Sequence, residues 1–141
     1  MRIMALDIGD VRTGIAVSDP SEMLASPICV LPSAEVVSGA KSFARVLDDW
    51  EPELLLCGLP LTLSGEYGPQ TDHIREMAAV ISKNADLPVE FVDERMSSTD
   101  AKRKLREMGY DEKTMRGKVD MIAASIFLQS WLDRRSTQDE R

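Results

Sequence analysis

The stretch ALDIGDVRTGIAVSD, residues 5–19, decides the reading of the fold. The chain is apolar through Ile3, Met4, Ala5 and Leu6, and so unbroken a run predicts a buried strand over residues 2–7. That strand ends in Asp7. Gly9 and Asp10 then form a tight turn, and residues 13–18 read as a returning strand stopped by Asp19-Pro20. Two strands joined by so short a polar break predict an antiparallel hairpin. A carboxylate that closes a strand after four apolar residues has no basis in β propensity, which makes Asp7 a candidate functional residue.

Working outward, ASPICVLP offers a third short strand over 28–31. Residues 35–50 read as one amphipathic helix, with Val36, Ala40, Phe43, Val46, Leu47 and Trp50 near helical spacing. Residues 53–57 form an apolar strand running into GLP. A glycine-containing loop follows, and Pro69 opens a helix to about Asn84, with Ile74, Met77, Ala78 and Ile81 on its buried side. PVEFVDE, residues 88–94, is the fifth strand. Ser97 with Asp100 can cap the next helix, which Gly109 ends. In the last helix, KVDMIAASIFLQSWLD, the stripe Val119, Ile122, Ala123, Ile126 and Ser130 or Trp131 is expected to be buried. This order predicts an α/β fold: a mixed five-stranded sheet, its first three strands antiparallel, with helices on both faces. One domain over 1–135 and a polar, frayed tail over 136–141 are expected.

Composition narrows the class. A chain of 141 residues, 43% hydrophobic and 29% charged, can bury a core without disulfides or structural metal. Neither a signal peptide nor a membrane-spanning run is legible, and Cys29 and Cys57 sit in apolar runs. A cytoplasmic protein with two buried reduced thiols is expected. The net charge of −7 argues against a globally basic nucleic-acid binder. Yet eight basic residues face four acids between Arg95 and Lys118, a local +4 that leaves −11 on the rest. Such a band can hold phosphates while the remaining surface repels them; it can also be a solvated helix face.

Three acids share an odd placement: Asp7 and Glu94 close strands, and Asp120 opens the last helix. If the two strands run parallel, both carboxylates emerge at the carboxyl end of the sheet, where open α/β sheets build their sites. Three clustered carboxylates require a compensating charge, and a hard divalent cation, Mg²⁺ or Mn²⁺, suits oxygen ligands. Taken singly, Asp120 could simply favour the helix dipole, and Glu94 could pair with Arg12 or Arg95. The single histidine, His73, excludes multi-histidine zinc sites, though it could approach a phosphate or move a proton. GLPLTLSGEYGPQ lacks the lysine and spacing of a P-loop.

The motifs LDIGDVRTGIAVSD, LLLCGLPLTLSGEYGPQ, VEFVDERMSSTDA and KVDMIAASIFLQSWLD, in this order, resemble the YqgF/RuvX family over residues 1–133. The resemblance implies a ribonuclease H-like fold. It implies a metal-dependent nuclease of pre-16S ribosomal RNA 5′-end maturation, with Holliday-junction resolution as the alternative. It places a catalytic and metal-binding trio on Asp7, Glu94 and Asp120. Arg12, Arg95 and the loop from Gly58 to Gln70, with Pro60 and Thr62, would line the substrate groove. Thr62 stands where the family often has a polar amide, and Met96 where leucine is common.

Lys102 and Arg106, which share a helix face, would add phosphate contacts. Structured RNA or branched DNA is the expected substrate, a ribosomal precursor particle a possible partner, and a monomer or homodimer the expected state. Two rivals exist. The first hairpin also resembles the phosphate loop of the actin, Hsp70 and sugar-kinase superfamily, but those proteins need two such lobes. A non-catalytic nucleic-acid-binding module gains nothing from three acids facing phosphate.

Overall fold

The structure, a computed structural model, describes residues 1–60, 68–93, 103, 106–111 and 119–139. Five strands are formed: β1 (Ile3–Ile8), β2 (Arg12–Ser18), β3 (Ala25–Pro32), β4 (Leu54–Leu59) and β5 (Val89–Asp93). They build one sheet in the order β3-β2-β1-β4-β5. β1–β2 and β2–β3 are antiparallel, whereas β1–β4 and β4–β5 are parallel. The carboxyl ends of β1, β4 and β5 therefore share one edge, as the reading of Asp7 required.

Helices α1 (Ser33–Ser38), α2 (Lys41–Trp50) and α3 (Pro69–Ala85) lie on one face and α4 (Val119–Asp139) on the other. Alternation along the strands divides the core in two. Met4, Leu6, Ile8, Ile15, Val17, Leu55, Cys57 and Leu59 meet Val36, Phe43, Ile74, Ala78 and Ile81. Ile3, Ala5, Ala16, Ala25, Leu54, Leu56 and Val92 meet Ala124, Phe127, Leu128 and Leu132. With helices on both sides, the central strands are apolar throughout, which is why β1 and β4 are continuous runs rather than alternating ones. Small residues under α4, namely Ala5, Ala16 and Ala25, let that helix lie close to the sheet.

Several local expectations are corrected. The helix expected over 35–50 is two helices. The chain leaves α1 at Gly39 in the left-handed region (φ 70°), and the Ala40 amide donates back to the Glu35 carbonyl at 2.9 Å. Glycine enters that region without the Cβ penalty. β3 is longer than 28–31 and carries an irregularity: Ile15 pairs with Cys29 but Ala16 with Pro27. Proline is tolerated there because β3 is an edge strand.

The buried stripe of α4 has another phase. Of the expected stripe, Ile122 and Ser130 are buried, but Val119 is 67% exposed and Ala123, Ile126 and Trp131 only half-buried, while Ala124, Phe127, Leu128 and Leu132 enter the core. The helix is apolar on most sides, so several phases fit its pattern. It runs on to Asp139, past the point where fraying was expected. Of the two thiols, Cys57 is buried and Cys29 only partly so; both are free. The proposed Ser97–Asp100 cap lies outside the described residues. Gly109, at φ 100°, does terminate the preceding helical turn, its amide donating to the Arg106 carbonyl at 3.0 Å. No helix among the described residues is long and apolar enough to cross a membrane.

Candidate active site

The site is built from the first hairpin and the start of α4. Asp7 pairs with Gly14 across β1–β2. By alternation both belong to the face covered by α4, since their neighbours Ala5 and Ala16 are paired and packed there. At Gly14 the helix comes very close to the sheet. A Cβ on it would fall 2.1 Å from the backbone carbon and oxygen of Asp120 and 2.4 Å from the Met121 nitrogen. Only a residue without a side chain admits α4 at this depth. The backbone of Asp120 thus occupies the space beside Gly14, the strand partner of Asp7.

The axial position of α4 is fixed farther along by Gln129, a buried amide. Its Oε1 accepts from the Ala25 amide at 2.9 Å, and its Nε2 donates to the Met23 carbonyl at 2.9 Å and to Asp133 Oδ1 at 3.0 Å. A buried amide whose donors and acceptor are all used resists sliding.

Arg12 enters β2 on the same face, two residues before Gly14. Its Nε lies 3.7 Å from Asp120 Oδ2, and its side chain is 72% exposed. A pair so open to solvent contributes little to stability; its guanidinium is available to an anion arriving at the edge. Arg12 thus pairs with Asp120, a partner not foreseen for it. Asp120 also stands in the first turn of α4, where the helix dipole favours negative charge.

The other predicted residues distribute as follows. Gly58 lies near the end of β4, paired with Val92, and Leu59 pairs with Asp93, the last residue of β5. Glu94, next in sequence, lies outside the described residues, as do Arg95, Thr62 and Lys102. Pro60 and Gln70 flank the loop whose interior is likewise outside them. Its two ends are tied by the buried Thr71, whose Oγ1 donates to the Pro60 carbonyl at 3.2 Å and accepts from the Gly68 amide at 3.4 Å. Gln70 and Arg106 are exposed. His73, in the first part of α3, has Nε2 3.9 Å from Asp10 Oδ1 on the β1–β2 turn. It thus meets the edge from the face opposite Asp7.

Among the described residues no three His, Cys, Asp or Glu side chains converge. Asp7 and Asp120 fit a hard cation in kind, since each offers carboxylate oxygens and each belongs to a regular element, β1 and α4. Gly14 was not singled out from sequence. The signal was present, since an isolated glycine inside a strand marks a bulge or a close backbone approach, but nothing local says what approaches.

Comparison with known proteins agrees with this architecture. The family model RuvX, described as Holliday junction resolvase, matches residues 1–134. A candidate pre-16S rRNA nuclease of Roseiflexus sp. (strain RS-1) is 36% identical over 132 residues, covering 94% of each chain. One from Anaeromyxobacter sp. (strain Fw109-5) is 36% identical over 135 residues, covering 96% of this chain and 98% of its own. Among solved structures, T. thermophilus RuvC in complex with Holliday junction substrate superposes with a TM-score of 0.58 at 12% identity, covering 96% of both chains. The fowlpox virus resolvase in complex with substrate Holliday junction DNA gives 0.54 at 18%, covering 95% of this chain and 98% of its own. These two likenesses speak to the fold, which is ribonuclease H-like. With a family model matched from the first strand through the last helix, and full-length relatives above one-third identity, the chain belongs to the RuvX family.

Proposed function

We propose that this chain is a divalent-metal-dependent nuclease that hydrolyses phosphodiester bonds in maturing the 5′ end of pre-16S ribosomal RNA. The observation that carries the reading is the packing of the Asp120 backbone into the space left by Gly14, the strand partner of Asp7. A fold that only bound nucleic acid would gain nothing by bringing two carboxylates to the edge where phosphate must lie.

Asp7, Glu94 and Asp120 would hold the ion, Mg²⁺ or Mn²⁺. Bound there, it supplies charge neutralisation at the phosphate and lowers the pKa of the attacking water. The protein's own part is preorganisation. Asp7 is fixed by the β1–β2 ladder and Asp120 by the depth of α4. Arg12 offers an exposed guanidinium to the scissile phosphate, a cation already in place when charge develops there. Arg95, Lys102 and Arg106 are proposed to hold the flanking backbone, with Gly58, Pro60, Thr62 and Gln70 along the groove. The relatives named for pre-16S rRNA favour RNA as substrate. A net charge of −7 favours RNA already in a ribosomal precursor particle, where protein contacts add to the binding. We place this action in the cytoplasm, where a monomer suffices, since one end needs one site.

The second reading, resolution of branched DNA by a homodimer, is favoured by the family model's description. The test is cleavage of a 5′-extended 16S leader RNA and of a four-way DNA junction by purified protein, in Mg²⁺, Mn²⁺ or chelator. Leader cleavage that requires the metal, and that Asp7→Asn and Asp120→Asn each reduce by about 100-fold or more, is expected. Full activity in either variant overturns the site. Cleavage of the junction alone moves the assignment to the resolvase.

A further inference from the structure

We propose that Thr13 and Ser33 are positioning residues: a buried relay of two hydroxyls that holds the Arg12 turn from the face of the sheet opposite Asp7 and Asp120. Its consequence for cleavage rests on the nuclease reading; its geometry does not. The turn between β1 and β2 has no packing of its own, because Asp10, Val11 and Arg12 all project into solvent. The ion pairs it makes, Asp10 with His73 at 3.9 Å and Arg12 with Asp120 at 3.7 Å, are exposed and weak. What fixes it is hydrogen bonding. The Gly9 amide donates to the Arg12 carbonyl at 2.9 Å, closing the turn so tightly that a Cβ at position 9 would lie 2.7 Å from that oxygen. Ser33, the first residue of α1, then holds the turn at two further points. Its amide donates to the Val11 carbonyl at 2.9 Å, and its hydroxyl donates to the Gly9 carbonyl at 2.6 Å.

The relay has a direction. Ser33 has one hydroxyl proton, and the Gly9 carbonyl can only accept, so that proton goes to Gly9. Thr13 Oγ1, 2.8 Å from Ser33 Oγ, must therefore be the donor to it. Both side chains are buried, Thr13 fully and Ser33 at 3% exposure, so neither has water as a substitute. Removing the two hydroxyls has unequal effects. Ser33→Ala strands the buried Thr13 hydroxyl and releases the partly buried Gly9 carbonyl. Thr13→Val strands none, because Ser33 still donates to Gly9. In the double variant Thr13→Val/Ser33→Ala the stranded hydroxyl is gone, yet Gly9 remains unheld. Stability and positioning are thereby separable.

The experiment measures melting, hydrogen exchange at the Gly9 amide and single-turnover cleavage for Ser33→Ala, Thr13→Val and the double variant. Each is also combined with Arg12→Ala. Ser33→Ala should melt lowest and the double variant should recover part of that loss. Gly9 exchange should be accelerated in both, with the amides inside β1 and β2 still protected. Single-turnover cleavage should slow about 10- to 100-fold in both, in the rate at saturating protein more than in the protein concentration that half-saturates it. Adding Arg12→Ala to Ser33→Ala should cost little more than Arg12→Ala alone, because the two act through one guanidinium. Activity that returns with stability in the double variant, losses that multiply, or unchanged Gly9 exchange would each overturn the relay. If the wild-type chain cleaves nothing, the nuclease reading fails, and the Gly9 exchange and the melts decide the relay by themselves.

Discussion

Gly14 decides how near α4 comes to the strand paired with Asp7. Asp7 was legible in the sequence because a carboxylate interrupts an apolar run where propensity offers no reason for one. Gly14 was legible only as a glycine inside a strand, since its meaning depends on a helix more than a hundred residues away. Alanine at this position would have to displace the Asp120 backbone, which has no flexible side chain to yield. Gly14→Ala is expected to destabilise the fold by about 1–3 kcal/mol, the usual range for an overpacked core. It should also reduce metal-dependent cleavage well beyond what the lost folded fraction accounts for. Denaturant melts beside cleavage by the remaining folded protein check this. Wild-type activity per folded molecule would mean that the depth of α4 is irrelevant to the site. Glu94 is proposed for the same trio; in sequence it directly follows Asp93, the last residue of β5.

Among the elements, strands were read more securely than helices, for a physical reason. The central strands are buried on both faces, so their apolar runs admit one interpretation. In α4 the same all-round hydrophobicity leaves the phase open: Val119 stays exposed, while Met121, Ile122, Ala124, Phe127, Leu128 and Leu132 are buried. The break between α1 and α2 turned on Gly39, which an amphipathic pattern alone does not weigh. β4 has a measurable signature of its burial. Its Cys57 thiol, deep in the core, is pushed from 9.0 up to about 12 by desolvation. Between pH 9 and about 12 the unfolded chain has released this proton and the folded chain has kept it. Stability is therefore unaffected by this group below pH 9 and falls above it, by about 1.4 kcal/mol per pH unit. Denaturant melts from pH 8 upward should show a steeper alkaline decline for the wild type than for Cys57→Ala. Equal slopes would mean that Cys57 is more accessible to water than its burial indicates.

At the scale of the whole molecule, charge governs how substrate approaches. A chain of net charge −7 with carboxylates at its working edge repels nucleic acid, and its cations must offset that locally. Of these, Arg12 stands at the described site, exposed beside Asp120. Two consequences of opposite sign follow. In chelator, removing one negative charge should help, so Asp7→Asn should bind a leader RNA or a four-way junction more tightly than wild type. In Ca²⁺, which occupies oxygen sites while suppressing cleavage, wild type should gain affinity and Asp7→Asn should gain less, so that the order of the two reverses. Arg12→Ala should weaken binding in both conditions and flatten the dependence of log Kd on log salt by about one unit, the loss of one phosphate contact. Titrations of labelled substrate at several salt concentrations, with and without Ca²⁺, measure all of this together. If Asp7→Asn binds no differently from wild type in either condition, its carboxylate is remote from the phosphate path. An unchanged salt slope in Arg12→Ala would instead leave Arg12 as a surface partner of Asp120 and place the phosphate contacts on the basic band from Arg95 to Lys118.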